Sequence, residues 1–320
     1  MNSAGLRTTG SGELAIMLAA VAYGISTTSS VAALDVLHPA DLVVLELSGA
    51  AAVLFSITFV AGKVSRVGAG RNFALGALMP GMAFVLGDLG LSRTSASAGS
   101  LLYATDVPLS VLLSVLFLRE VLRGRAVAAL ALGLSGSLIV ALGNGGGAGQ
   151  STTLGNLLVL ASVAAGAAFV VVTRKYNADD GLSASAWQTL GGAVCTSPFV
   201  AFGWWHSGSN LDSAGARGWG FGLAVLVFTA IGGVAFNWGI SRVPGVRASQ
   251  LLNLAPAVGL ASAIVVLNEQ PSTWQYVGGA VILVAVVVLV RAVEGSTDPV
   301  LVHEPAEAQA SASIPLAEAR

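Results

Sequence analysis

The sequence predicts an all-α polytopic membrane protein with ten transmembrane helices, arranged as two inverted five-helix repeats. Three observations support this prediction: the composition, the recurrence of apolar segments, and an internal duplication. The 320 residues are 55% hydrophobic and only 10% charged, whereas soluble domains carry about 25% charged residues. The net charge of −1 gives no sign of the basic surface that nucleic-acid binding needs. The composition therefore indicates a protein surrounded mainly by lipid.

Ten apolar segments recur along the chain. A helix needs about 20 apolar residues to cross the hydrocarbon core, and each segment is long enough or nearly so. The predicted helices are 13–33, 41–60, 72–91, 97–117, 124–142, 154–173, 184–203, 218–238, 246–267 and 273–291. Because the first segment can span the membrane, it is predicted to be retained as a helix and not cleaved as a signal peptide.

These segments divide the chain into five parts. A cytoplasmic N-terminal segment is predicted at 1–12, a first repeat at 13–142, a Gly-rich linker at 143–153, a second repeat at 154–291 and a disordered cytoplasmic tail at 292–320. The linker resembles a phosphate-binding loop only in its glycines. It lacks the preceding strand and the following Gly-Lys-Ser/Thr. We therefore interpret it as a flexible connection between the halves.

The distribution of basic residues predicts the orientation. If both termini are cytoplasmic, thirteen of the 15 Lys and Arg residues lie inside, and only Arg93 and Arg217 lie outside. Cytoplasmic loops of membrane proteins are enriched in Lys and Arg. The sequence therefore predicts a multi-pass protein of the cell membrane with both termini in the cytoplasm.

The two halves of the chain repeat each other at an offset of 149 residues. The tetrapeptide Gly-Leu-Ser-Arg at 90–93 corresponds to Gly-Ile-Ser-Arg at 239–242, and Ser100 corresponds to Ser249. Since each half holds five helices, an odd number, the halves enter the membrane in opposite directions. Inverted repeats are typical of secondary transporters, where two related packings open a midplane site to opposite sides of the membrane.

Short motifs appear in the same order in both halves. The first half contains Ala22-Tyr23-Gly24, Pro39, Gly-Leu-Ser-Arg at 90–93, Pro108 and Leu118-Arg119-Glu120. The second contains the segment 165–176, Gly-Ile-Ser-Arg at 239–242, Pro256, Asn268-Glu269 and Gly278-Gly279. Over about 13–291 the chain thus resembles a pair of EamA domains of the drug/metabolite transporter superfamily. The resemblance implies an exporter of amino acids, metabolites or drugs, driven by proton entry. One position departs from it: these domains often carry Arg about seven residues after the Pro of helix two, and this chain has Glu46.

Asp106 is the leading candidate for a functional residue, because it lies near the middle of predicted helix four. A charge at that depth costs roughly 2.5–3.5 kcal/mol on insertion scales. No Lys or Arg lies at comparable depth in any predicted helix. Three interpretations stay open: a carboxyl that takes up a proton from one side and releases it to the other, a carboxylate that binds a substrate ammonium group, or a protonated side chain that only hydrogen-bonds a neighbouring helix.

Two further pairs of polar residues are related by the repeat. Glu46 in helix two corresponds to Gln188 in helix seven, which is adjacent to Trp187. Glu46 is expected either to line the cavity or to reach the membrane surface. Asp88 corresponds to Asn237, near the ends of helices three and eight. This pair is expected either to contribute to the substrate or coupling site or to cap and cross-link helices.

The remaining candidates are aromatic or polar residues and two prolines. Asn253 lies three residues before Pro256 in helix nine, which is related by the repeat to helix four. Tyr23 and Trp187 are candidates to stack on a substrate. Pro108 and Pro256 are predicted to kink their helices around the central site, because each leaves the carbonyl four residues earlier without its usual partner. The alternative is a gentle packing kink without a role in gating.

The motifs favour a transporter over an enzyme. The three His residues are scattered over two loops and the tail, and the chain has no HExxH motif, metal-spaced Cys/His cluster, nucleophile elbow or P-loop. We therefore predict a secondary active exporter of a small molecule, with a proton as the candidate coupling ion and no cofactor or metal. The alternatives are a membrane-embedded enzyme acting on lipid-linked substrates and a helical scaffold or sensor without transport.

Overall fold

The structure is a computed structural model that describes residues 3–118, 124–143, 151–175, 182–240, 242–243, 248 and 251–294. The helices are α1 (Ser3–Leu34), α2 (Pro39–Val60), α3 (Ala69–Gly76), α4 (Ala83–Leu91), α5 (Ala96–Tyr103), α6 (Asp106–Leu118), α7 (Gly124–Leu142), α8 (Thr153–Lys175), α9 (Leu182–Cys195), α10 (Ser197–Ser207), α11 (Gly215–Ile240), α12 (Leu254–Leu267) and α13 (Thr273–Glu294). A π-helical segment, Ala77–Met82, joins α3 to α4, and a short 3₁₀ helix, Leu211–Ser213, precedes α11. Most of the predicted linker and the tail beyond Glu294 fall outside the described residues.

The ten predicted transmembrane helices are confirmed. Eight described segments are long and apolar enough to cross a membrane. The seventh predicted helix consists of α9 and α10, which are separated at Thr196. The ninth is represented by the shorter apolar helix α12. Helix boundaries follow local chemistry: Pro39 opens α2 and Pro198 lies in the first turn of α10, where the missing N–H of proline costs no hydrogen bond.

Contacts between the helices confirm the inversion. In the first repeat, the first helix is α1, and it packs against α11, the third helix of the second repeat. In the second repeat, the first helix is α8, and it packs against α4, which is part of the third helix of the first repeat. In the same way α1 contacts α12, α8 contacts α6, and the two fifth helices, α7 and α13, pack against each other. A pseudo-two-fold relation between the repeats produces this reciprocal pattern, and because each repeat holds five helices its axis lies in the membrane plane.

Helices three, four and nine are interrupted within the bundle. Met79 has extended backbone angles (φ −143°, ψ 123°) just before Pro80. Helix four breaks at Ala104 and Thr105, and α12 begins after a turn at Asn253. The last two interruptions lie about one turn before Pro108 and Pro256. A proline leaves the carbonyl four residues earlier without a hydrogen-bond partner, and those carbonyls lie at these two interruptions. Non-helical backbone at membrane depth is tolerated where it is buried in protein or lines a cavity.

Glycines bring helices three and seven into backbone contact. A Cβ atom at Gly76 would collide with the carbonyl oxygen of Gln188, and one at Gly191 would collide with the carbonyl oxygen of Phe73. Small residues at such crossings allow the van der Waals packing that drives association of helices in lipid. This contact holds α9 against α3 at the end of the bundle near the α2–α3 loop.

Candidate substrate and coupling site

Two acidic side chains are buried near the end of the bundle where α1 passes into α2. Glu46 lies seven residues after Pro39, or about 10 Å along α2. Asp88 lies three residues before the end of α4 at Leu91. Their side chains are only 5% and 4% exposed, and their carboxyl groups are close enough to interact electrostatically. Glu46 therefore does not extend to the surface of the bundle.

Hydroxyl groups from three other helices surround this pair. Ser30 of α1 donates a hydrogen bond to Glu46 Oε1 at 3.5 Å. The hydroxyl group of Tyr103, at the end of α5, lies over Gly87, so that a Cβ there would be 2.8 Å from the oxygen. Tyr103 is also hydrogen-bonded to Ser162 of α8. We call these five residues the carboxyl cluster: Ser30, Glu46, Asp88, Tyr103 and Ser162.

The cluster has an unsatisfied acceptor and no basic partner among the described side chains. Asp88 Oδ2 is fully buried and has no hydrogen-bond partner. Every Lys and Arg whose side chain the structure describes is exposed. Because two carboxylates in a dry environment repel each other and lose hydration, such a cluster is stable only when it holds a proton or another cation.

Sequence reasoning identified Glu46 and Asp88 but missed their hydroxyl partners. A signal was present, since residues 26–30 of α1 read Ser-Thr-Thr-Ser-Ser in an otherwise apolar helix. Ser26 shares a 2.9 Å hydrogen bond with Thr229 of α11, and Thr28 shares one of 2.5 Å with Ser262 of α12. The run thus connects α1 to two helices of the second repeat, α11 and α12. Only the three-dimensional arrangement shows which hydroxyl faces which helix.

Asp106 occupies a different environment. It is the first residue of α6, directly after the break in helix four, and its carboxyl group is hydrogen-bonded to Ser110 one turn later. Its side chain is exposed, unlike those of the carboxyl cluster. The span containing it runs from Ala96 to Phe117, so the side chain lies near mid-depth, as the sequence predicts.

Trp187 and Gln188 lie at the opposite end of the bundle from Glu46. The indole N–H of Trp187 donates to the carbonyl oxygen of Ser65 at 2.8 Å, and its ring meets Phe55 edge-on at 5.3 Å. Gln188 Nε2 donates to Asn72 Oδ1 at 3.2 Å. These contacts tie α9 to the α2–α3 loop and to α3, and the structure does not bring either residue to the carboxyl cluster.

The other predicted residues are distributed along the bundle. Tyr23 is half-buried, with its ring against Gly232 of α11. Asn253 is half-buried at the turn before α12, and Pro256 is buried within that helix. Pro108 is buried and faces Gly133 of α7. The side chain of Asn237 is outside the part of the chain that the structure describes.

A hydrogen-bonded clamp closes the α1–α2 end. Asp41 is completely buried and accepts hydrogen bonds from Trp204 Nε1 (2.8 Å), Ser209 Oγ (2.7 Å) and the Asn210 backbone N–H (3.1 Å). The backbone N–H of His38 donates in turn to Asn210 Oδ1 at 3.1 Å. These bonds join the start of α2 to α10 and to the segment between α10 and α11. We call this set the loop clamp.

Glu269 forms a second connection at the same end. Its carboxylate accepts hydrogen bonds from the backbone N–H groups of Ala96 (2.7 Å) and Ser97 (2.9 Å) and from Ser97 Oγ (2.5 Å). A carboxylate at a helix N-terminus satisfies free N–H groups and complements the helix dipole. Glu269, in the loop between α12 and α13, therefore fixes α5 to the second repeat.

Two inverted five-helix repeats around buried polar groups define this protein as a multi-pass membrane transporter. The chain belongs to the EamA-like transporter family, whose sequence profile matches residues 10–142 and 153–291. It is 28% identical over 207 residues to a "probable terminal-alkyne amino-acid exporter" from Streptantibioticus cattleyicolor, a match that covers 65% of this chain and 68% of the relative. A protein crystal structure at 18% identity shares the fold with a TM-score of 0.58, over 91% of this chain and 99% of the other.

Proposed function

We propose that this protein is a secondary active exporter of small amine-bearing metabolites of the amino-acid class, working by alternating access with proton coupling. The observation that carries the proposal is the position of Asp106, a residue with solvent-accessible surface at the middle of its span, directly after the break in helix four. A substrate ammonium group can form a charge-assisted hydrogen bond with this carboxylate. The name of the exporter relative supports the same substrate class.

The contacts between the repeats support alternating access. The loop clamp and the bond from Glu269 to α5 close the α1–α2 end in this conformation. Because the repeats are related by inversion, the alternative packing would open this end and close the other. Interruptions in helices four and nine provide positions where the backbone can bend. The enzyme and scaffold alternatives have no comparable observation in their favour.

We further propose that the protein lies in the cell membrane with both termini cytoplasmic, so that the α1–α2 end is extracellular. Reporter fusions after Gly68 and after Gly147 are expected to report the inside and the outside, respectively. The physical reason is the concentration of Lys and Arg in loops on the cytoplasmic side. Cysteine accessibility at the same two positions is the independent measurement, and the same side for both would contradict the proposed topology.

Flux into proteoliposomes tests the transport function. Purified protein is reconstituted, and uptake of labelled propargylglycine, leucine and other free amino acids is compared with that of their N-acetyl derivatives. The free amino acids are expected to exchange, and the N-acetyl compounds are expected not to, because acetylation removes the ammonium charge. Equal flux of both sets would contradict amine recognition. Absence of flux for all free amino acids, with the protein folded, would contradict the proposed substrate class.

A further inference from the structure

We propose that Glu46 and Asp88, together with Tyr103, form the proton-binding site that drives transport, separate from the substrate carboxylate at Asp106. This inference rests on the proposed export function and goes beyond it by assigning proton and substrate to different places. Geometry, burial and the absence of a basic partner among the described side chains support it.

The first argument is that the cluster contains a buried oxygen without a hydrogen-bond partner. Asp88 Oδ2 is buried without a hydrogen-bond partner, and the contact from Ser30 to Glu46 is a long one at 3.5 Å. A proton on one carboxyl group would turn an acceptor into a donor and would remove the repulsion between two negative charges. The arrangement is thus incomplete until a proton is added.

The second argument concerns the surrounding charges. Among the described titratable side chains on helices packed against the pair, Tyr103 of α5 faces it. Asp41 of α2 is engaged in the loop clamp. The other described titratable side chains on these helices do not face the pair. On α1, Glu13 is near the opposite end and Tyr23 packs on α11. Cys195 and His206 are exposed, and Arg217 pairs with Asp35. No described cation neutralises the pair.

The third argument is access. Glu46 lies about two turns of helix after the start of α2, beyond the loop clamp, and Asp88 lies about one turn before the end of α4; both side chains are buried. The pair is therefore sealed from the solution on that side in this conformation. Opening the clamp would wet the pair and allow a carboxylate oxygen to take a proton from the outer solution. Closure would then carry that proton inward, and its release to the cytoplasm would return the carboxylate. One proton enters for each outward-moving substrate, and no covalent bond other than O–H forms or breaks.

The fourth argument is the connection to the substrate site. Tyr103 is the last residue of α5, and Asp106, three residues later, begins α6. The Tyr103 hydroxyl group contacts the α4 segment that carries Asp88. If a change in the protonation of the pair moves this hydroxyl group, it also displaces the end of α5. That displacement reaches the turn directly before Asp106. The two sites are thus linked through the two-residue turn formed by Ala104 and Thr105.

The experiment compares Glu46→Gln, Asp88→Asn and Tyr103→Phe with wild-type protein in proteoliposomes. The matched control is Asp212→Asn, an exposed carboxylate in the short 3₁₀ helix. Two assays use propargylglycine: counterflow at equal pH on both sides, which needs only the substrate site, and accumulation driven by a pH gradient. Substrate-dependent proton movement is followed with an entrapped pH dye.

Glu46→Gln and Asp88→Asn are expected to retain counterflow and to lose both gradient-driven accumulation and substrate-dependent proton movement. Tyr103→Phe keeps the ring and removes the hydroxyl group, so accumulation is expected to fall while counterflow stays. If one carboxyl variant misfolds, the other and Tyr103→Phe decide the result. Three results would overturn the inference. The first is wild-type accumulation in the carboxyl variants, and the second is loss of counterflow in carboxyl variants that fold. The third is that a sodium gradient, and not a pH gradient, drives accumulation by the wild type. Failure of wild-type counterflow would instead contradict the proposed function itself.

Discussion

Asp106→Asn is expected to weaken binding of amine-bearing substrates sharply and to impair uphill transport and counterflow together. The variant keeps the shape of the side chain and its hydrogen bond to Ser110 but removes the negative charge. Hydrogen bonds to charged groups contribute about 1.5–3 kcal/mol, which corresponds to a loss of affinity of roughly ten- to hundredfold. The measurement is the substrate concentration that half-saturates counterflow, with propargylglycine as substrate.

Two further variants test whether the effect depends on the charge of Asp106. Asp212→Asn removes an exposed carboxylate from the loop before α11 and is expected to leave half-saturation unchanged. Asp106→Glu retains the charge and is expected to keep measurable counterflow. If Asp106→Asn retained counterflow and lost only uphill accumulation, Asp106 would be the coupling residue and the division of roles between Asp106 and the carboxyl cluster would be wrong. Unchanged uphill transport would remove Asp106 from the mechanism.

Asp41→Ala is expected to destabilise the protein by about 1–3 kcal/mol or more, because the cost of leaving one buried hydrogen-bond donor unsatisfied is of that size. Asp41 is 0% exposed and accepts hydrogen bonds from Trp204 of α10 and from Ser209 and Asn210 of the segment that follows it. Its loss leaves those donors without the acceptor that orders them. Thermal unfolding in detergent, followed by intrinsic Trp fluorescence, is the measurement.

Asp35→Ala provides the matched control, because Asp35 lies at the same end of the bundle, in the loop between α1 and α2. Asp35 pairs with Arg217 at 3.2 Å, but both side chains are more than half exposed. Exposed ion pairs contribute about 0.2–1 kcal/mol, so the melting temperature of Asp35→Ala is expected to stay near that of wild type. Equal melting temperatures for Asp41→Ala and Asp35→Ala would show that the loop clamp does not stabilise this end of the bundle.

The breaks inside the helices show where sequence reasoning fails. Hydropathy averaged over about 18 residues finds a span because lipid demands length and apolarity, but it is insensitive to a break of two or three residues. The divisions at Met79 and at Thr196 were therefore missed, although Pro80 and Pro198 are visible in the sequence. The breaks near Ala104 and Asn253 lie close to prolines that the sequence analysis did identify.

The sequence by itself determined the fold class, the ten helices and the inverted repeat, because apolar length, composition and internal duplication are properties of the chain alone. It also located Glu46, Asp88 and Asp106 as acidic residues within apolar segments, since the cost of charge in lipid makes each of them conspicuous. Only the tertiary structure decided that Glu46 and Asp88, 42 positions apart in the sequence, share one buried cluster while Asp106 is exposed and Gln188 lies at the other end. The physical reason is that a side chain's partners depend on how each helix is rotated about its axis and on which helices it packs against. Those features arise from interlocking contacts across both repeats, such as those at Gly76 and Gly191, and not from any local segment.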